Sequence, residues 1–156
     1  MKLLFKQRIF SWFDSYEIYD ENGNVVFQVE GKLSWGHKLL IYDEVHQQIG
    51  EVKEEVLTFL PKFILYEHDV PIGRIEKEFT FFRPKFHLTC NDWRIEGDFM
   101  EWDYTVLNDT RIIMQASKEL FHFSDTYLLD IERDEDALLC LMIVLAIDAA
   151  KCSKGD

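Results

Sequence analysis

The chain has 156 residues and a formal net charge of −12 at pH 7, a length that suits one domain able to bury about two thirds of its unfolded surface. Aromatic residues make up 15% of it and charged residues 29%, a balance that excludes a disordered chain. The acidity argues against a nucleic-acid partner and against purely electrostatic attachment to a membrane, because both require a basic field.

The first residues, MKLLFKQ, place only three apolar side chains between two lysines, too few for a signal-peptide core. Cys90, Cys140 and Cys152 are odd in number and follow no zinc spacing, so they read as reduced thiols, and a soluble cytoplasmic monomer is expected. One domain is expected over 1–152, with 153–156 as a disordered tail and no linker between.

From Lys2 to about Glu132 short β-branched and aromatic runs alternate with polar turns, the pattern of consecutive hairpins. Tyr16 to Glu30 forms the first, turning at Asn22-Gly23, where both residue types tolerate positive φ. The pattern recurs: Leu40 to Asp43 leads through a turn to Ile49-Gly50-Glu51-Val52, and Ile64 to Glu67 leads to Ile72-Gly73-Arg74-Ile75. Each unit has a strand ending in tyrosine and an acid, a turn, and an outgoing strand ending in charge. Gly50 and Gly73 break strict alternation and mark expected bulges or bends that curl a sheet. Hairpins continue through Phe86 to Phe99 and Tyr104 to Ala116, and Asp125 to Ile131 supplies a last strand.

Ala137 to Ala150, ALLCLMIVLAIDAA, is apolar on every face. Such a helix needs protein or lipid on all sides, and it falls short of the roughly 20 residues of a bilayer span. Leu141 lies within it as a core residue, and Asp148 is its single acid. A helix about 10 to 12 Å across does not fit a barrel of about 8 strands, which has room only for its own side chains. The expected fold is therefore all-β with one helix: a closed antiparallel barrel of about 12 strands around a central hydrophobic C-terminal helix. Asp148 should then meet a Trp indole, backbone amides or one of Arg83, Arg94 and Arg111, because an unpartnered buried carboxylate is costly.

Several short motifs appear in order: Tyr16-x-Ile18-Tyr19-Asp20-x-x-Gly23, Phe82-Arg83-Pro84-x-Phe86, Ile95-x-Gly97-Asp98-Phe99-x-x-Trp102-x-Tyr104, Asp125-Thr126-Tyr127 and Leu145-Ala146-Ile147-Asp148. With the terminal helix they resemble the LURP-one-related family, its small bacterial YxjI-type members above all, within the Tubby C-terminal-like and phospholipid scramblase superfamily. The resemblance spans the whole chain and implies a twelve-stranded Tubby-like barrel. It carries no settled activity for the YxjI-type branch.

No G-x-S-x-G, H-E-x-x-H or phosphate-binding glycine loop is present, so a non-enzymatic binding or regulatory module without cofactor is expected. Arg74, Lys77, Arg83 and Lys85, interleaved with Phe79, Phe81 and Phe82, form the one concentrated basic stretch. They are candidates for an anionic ligand, a phosphoinositide headgroup or membrane surface. In the competing reading Arg74 and Lys77 pair with Glu76, Glu78 and neighbouring strand acids while the phenylalanines face the core. Asp125, Asp130, Glu132 and Asp134, with Glu135 and Asp136 beyond, are hard oxygen donors that could hold Ca²⁺. The resemblance to scramblases implies the same, yet the EF-hand spacing is absent and the acids also suit a helix N-terminus. A protein-interaction module with no small ligand is the remaining alternative. His46 and His68 read as solvated turn residues.

Overall fold

The computed structural model describes residues 1–5, 15–32, 35–121 and 124–152, without the side chains of 120–121, 124–125 and 152. The expected tail, 153–156, and His122 lie outside the described residues. Among the described residues there are twelve strands: β1 (Lys2–Phe5), β2 (Ser15–Tyr19), β3 (Val25–Lys32), β4 (Lys38–Tyr42), β5 (Gln48–Glu54), β6 (Lys62–Glu67), β7 (Val70–Glu78), β8 (Lys85–Leu88), β9 (Arg94–Asp98), β10 (Asp103–Asn108), β11 (Arg111–Phe121) and β12 (Ser124–Ile131). A 3-10 turn at Asp134–Asp136 leads into the helix α1 (Ala137–Cys152).

Every strand pair is antiparallel, and β1 joins β12, so the sheet runs from β8 down to β1 and on through β12 to β9. It curls into a nearly closed barrel around α1. β8 pairs with β7 alone and β9 with β10 alone, which leaves a seam between them where the sequence reading expected full closure. The seam is sealed on the inside by side chains: the rings of Phe86 and Phe99 meet edge-to-face at 5.1 Å. Gly97, at φ +134° where only glycine is at ease, lets β9 lie close against β10, where an added Cβ would stand 2.5 Å from the Asp103 carbonyl oxygen.

Alternation places Tyr16, Ile18, Phe27, Val29, Ile41, Val52, Phe63, Leu65 and Ile75 inside, against a helix buried from Cys140 to Ala150. An all-round apolar helix is stable here because the barrel supplies apolar surface on every side. No described helix is long and apolar enough to cross a membrane.

The repeat seen in the sequence is a repeat of structure. In three successive hairpins the register slips by one residue, at Val26, Ile49 and Ile72, and each bulge tightens the local twist. The bulged residue precedes the glycine rather than being it. Gly50 and Gly73 face inward, and a Cβ on Gly50 would stand 3.0 Å from Leu138 Cδ1, one on Gly73 only 2.5 Å from Cys90 Cβ. The two longer turns are also copies. Asp20 Oδ1 accepts from the amides of Asn22 and Asn24, both 2.9 Å, and Asp43 Oδ1 from those of Val45 and Gln47, 3.1 and 2.8 Å. Gly23 and His46 take the left-handed position in the two turns.

Because the chain meanders, alternate connections collect at opposite ends. One pole carries the short turns with Asp20, Glu21, Asp43, Glu44, Asp69, Asp92 and Asp109, and the acidic segment from Glu132 to Asp136. The other carries the 33–37, 55–61, 79–84 and 99–102 loops and the C-terminal end of α1. Its exposed side chains include Trp35, Leu57, Phe59, Phe79, Phe81, Phe82 and Met100. We call these the acidic and the apolar pole.

Candidate functional site

The four basic candidates do not form one cluster. Arg74 points outward from the middle of β7, where its Nε donates to Glu55 Oε1 at 2.7 Å. That acid, on a neighbouring loop rather than on β7, neutralises it. Lys77 has the opposite parity and is turned into the barrel, 8% exposed; with Pro84, Phe86, Phe99, Met100 and Lys151 it lines a cavity of about 190 Å³ at the apolar pole. Arg83 and Lys85 border a groove of about 520 Å³ along the β8–β9 seam, together with Glu78, His87, Arg94 and Glu96. Groove and cavity share Pro84, Phe86 and Phe99, so Lys77, Arg83 and Lys85 approach one region from two sides. Phe79, Phe81 and Phe82 do not face the core; Phe79 and Phe81 pack on each other at 5.3 Å in the open loop.

Around the C-terminal end of α1 the structure brings Lys118 and Lys151, which the sequence reading did not single out as site residues, together with Trp102, Tyr127 and Asp148. Trp102, at φ +57°, lays its indole against the helix, and Nε1 donates to Asp148 Oδ1 at 3.5 Å. Lys151, one turn on, stands 3.8 Å from the same oxygen and 5.8 Å from the Trp102 ring. Tyr127 packs on Trp102 at 4.7 Å, and Lys118 lies 5.8 Å from the Tyr127 ring. These side chains with Met100 and Glu101 line a second cavity of about 350 Å³. Asp148 thus has the indole expected for it but none of the three arginines. Arg94 donates to the Asp109 carbonyl at 2.8 Å and Arg111 lies 3.8 Å from Glu132, both near the acidic pole, while Arg83 borders the groove. Strand parity could have found Lys118, which has the same parity as the buried Met114 and Ala116.

The acids before the helix are not gathered. Asp130 is exposed on β12, Glu132 faces Arg111, and Asp134 lies in the 3-10 turn 4.0 Å from the Met1 amine. Asp125, whose side chain lies outside the described residues, is the second residue of β12, at the other pole and about 17 Å of strand from Asp130. Among the described residues no group of three His, Cys, Asp or Glu side chains could hold a metal ion. His46 and His68 both sit in turns with positive φ, His37 lies 3.7 Å from Glu54, and His87 is in the groove.

The family described as LURP-one-related matches residues 1–148. An uncharacterized protein of Bacillus subtilis (strain 168), YxjI, is 28% identical over 149 residues, spanning 95% of this chain and 92% of that protein. The X-ray structure of a protein from Arabidopsis thaliana is similar with a TM-score of 0.64 at 14% identity, covering 95% of this chain and 90% of that one. That likeness is one of fold.

Proposed function

The chain belongs to the LURP-one-related family, and from that premise we propose a non-enzymatic binding module that takes an anionic group, a phosphorylated lipid headgroup or small ligand, at its apolar pole. The observation that carries this reading is the approach of Lys77, Arg83 and Lys85 to one region of that pole, beside Lys151, with the acidic short turns and the 132–136 segment at the opposite end. Cations at a partly dry barrel mouth hold an anion more tightly than the same charges in open water. Distance from the acidic turns lowers the repulsion such an anion would feel, and salt screens the remainder.

Flotation with phosphoinositide-bearing vesicles tests it. Basic residues near an anionic surface contribute about 1 kcal/mol each, so Arg83→Gln with Lys85→Gln should weaken association about 30-fold at low salt. Unchanged association of the double variant, or none of the native chain, would rule the reading out. A second reading, a protein-interaction module, is favoured by the β8–β9 seam. There two strands lack a ladder to each other, and an extended peptide could add to either edge. Backbone amide shifts confined to 85–88 and 94–98 on adding a partner peptide would support it.

A further inference from the structure

We propose that the apolar pole is a membrane-docking surface whose loop side chains enter the interface of a lipid bilayer, zwitterionic lipid included, with the acidic pole held in water. Leu57 is 97% exposed, Phe59 92%, Phe81 86%, Phe82 98% and Trp35 81%. Single exposed apolar residues are ordinary, but these occupy three loops at one end, and contiguous apolar surface of that kind marks an interaction site. Leu57 also holds a left-handed backbone at φ +60°, a conformation in which a bulky residue is a steric outlier.

The form of the surface and the distribution of charge point to lipid as the occupant. Leu57, Phe59 and Phe82 expose nearly all of their surface, Phe79 and Phe81 pack on each other, and Leu57 and Phe59 border an open hollow of about 390 Å³. A fluid interface closes around protruding rings and fills an open hollow alike, without needing a matched partner surface. Tryptophan and phenylalanine are suited to the bilayer interface, and Arg83 and Lys85 beside the 79–84 loop lie where long basic side chains reach headgroups. The acids of the short turns lie at the far end of the strands, away from the negative surface of an anionic leaflet.

The inference rests on the same choice of working pole as the headgroup reading but not on its cations, and the two fail separately. The full chain is mixed with phosphatidylcholine vesicles, at low salt and at about 1 M salt, where the Debye length is about 3 Å. Association is expected at both. Phe59→Ser or Phe82→Ser should lower partition about tenfold each and the pair about a hundredfold. Both residues are solvent-exposed, so the melting temperature should not move. Arg83→Gln with Lys85→Gln should leave phosphatidylcholine association intact while weakening that to phosphoinositide vesicles. Three results would overturn the proposal: no association with phosphatidylcholine at either salt, association indifferent to the phenylalanine substitutions, or a dimer that those substitutions dissolve in a chain that ignores vesicles.

Discussion

Inside the barrel the hydroxyls of Tyr16 and Tyr104 are buried with no hydrogen-bond partner among the described residues. Each forfeits its hydration without replacement, a loss of about 1 to 3 kcal/mol for a buried unsatisfied group. The Tyr104 ring is well placed, 5.1 Å from Phe99 and 6.0 Å from Trp102, so phenylalanine preserves the packing and removes the unmet oxygen. Tyr104→Phe should therefore stabilise the protein by about 1 kcal/mol, read as a higher urea midpoint at unchanged m-value. A loss of that size instead would show that the hydroxyl has a partner. Asp148 was legible as a problem because one acid in an apolar run stands out. The tyrosines were not, because tyrosine serves either face of a strand and nothing in a single sequence says where its oxygen ends.

Glycine spacing was legible in the sequence, but its cause lay in the helix and in the loop after β8. Gly50 admits the start of α1 close to β5, where an added methyl would press on the far end of Leu138, a side chain that can turn aside. At Gly73 the obstacle is Cys90, with backbone Cα and N both at 2.9 Å, and backbone cannot give way so readily. Gly73→Ala should cost about 2 to 3 kcal/mol and Gly50→Ala less than about 1.5, compared by equilibrium unfolding. Equal costs would show that the loop at Cys90 is as compliant as a leucine tip. The helix itself was legible to within two residues of its end, since an unbroken apolar run too short for a bilayer span left few alternatives. Leu141, wholly buried in its second turn, supplies the matching test. Leu141→Asp places an unpaired charge there at a cost of several kcal/mol, comparable with the whole stability of a domain. Loss of the soluble, cooperatively melting form is expected, and its survival would put α1 outside the barrel.

Across the whole molecule, the meander and its central helix could be read from hairpin count and helix width, whereas the two poles could not be weighed before the topology was known. Assigning alternate loops to opposite ends requires every strand to be counted correctly, and a single missed strand exchanges the ends for all that follow. The seam was hidden for a related reason: Phe86 to Cys90 and Trp93 to Phe99 read as the two arms of one hairpin turning at Asn91-Asp92, whereas the structure leaves the two strands without a ladder to each other, and no local signal tells a strand paired on two sides from one paired on one. The enclosed core has a further consequence at high pH. Burial, with the negative charge of Asp148 adding to it, pushes the Tyr16 and Tyr104 hydroxyls well above their ordinary value, and burial first, then Asp136, does the same to the Cys140 thiol. In the unfolded chain these groups ionise near their ordinary values, about 10 for tyrosine and about 8.5 for a thiol, while the native barrel keeps its protons. The unfolded state then binds fewer protons than the native one, so stability falls as pH rises. The stabilisation is fully present below about pH 8.5 and declines above it by up to about 1.4 kcal/mol per pH unit for each group, once past that group's unfolded value. Urea unfolding followed from pH 7 to about pH 11 should show a flat region and then this decline, and Tyr104→Phe should make the limb above pH 10 shallower by one proton's worth. A stability curve that stays level to the end, or a variant whose limb matches the native one, would mean that Tyr104 gives up its proton without the barrel opening.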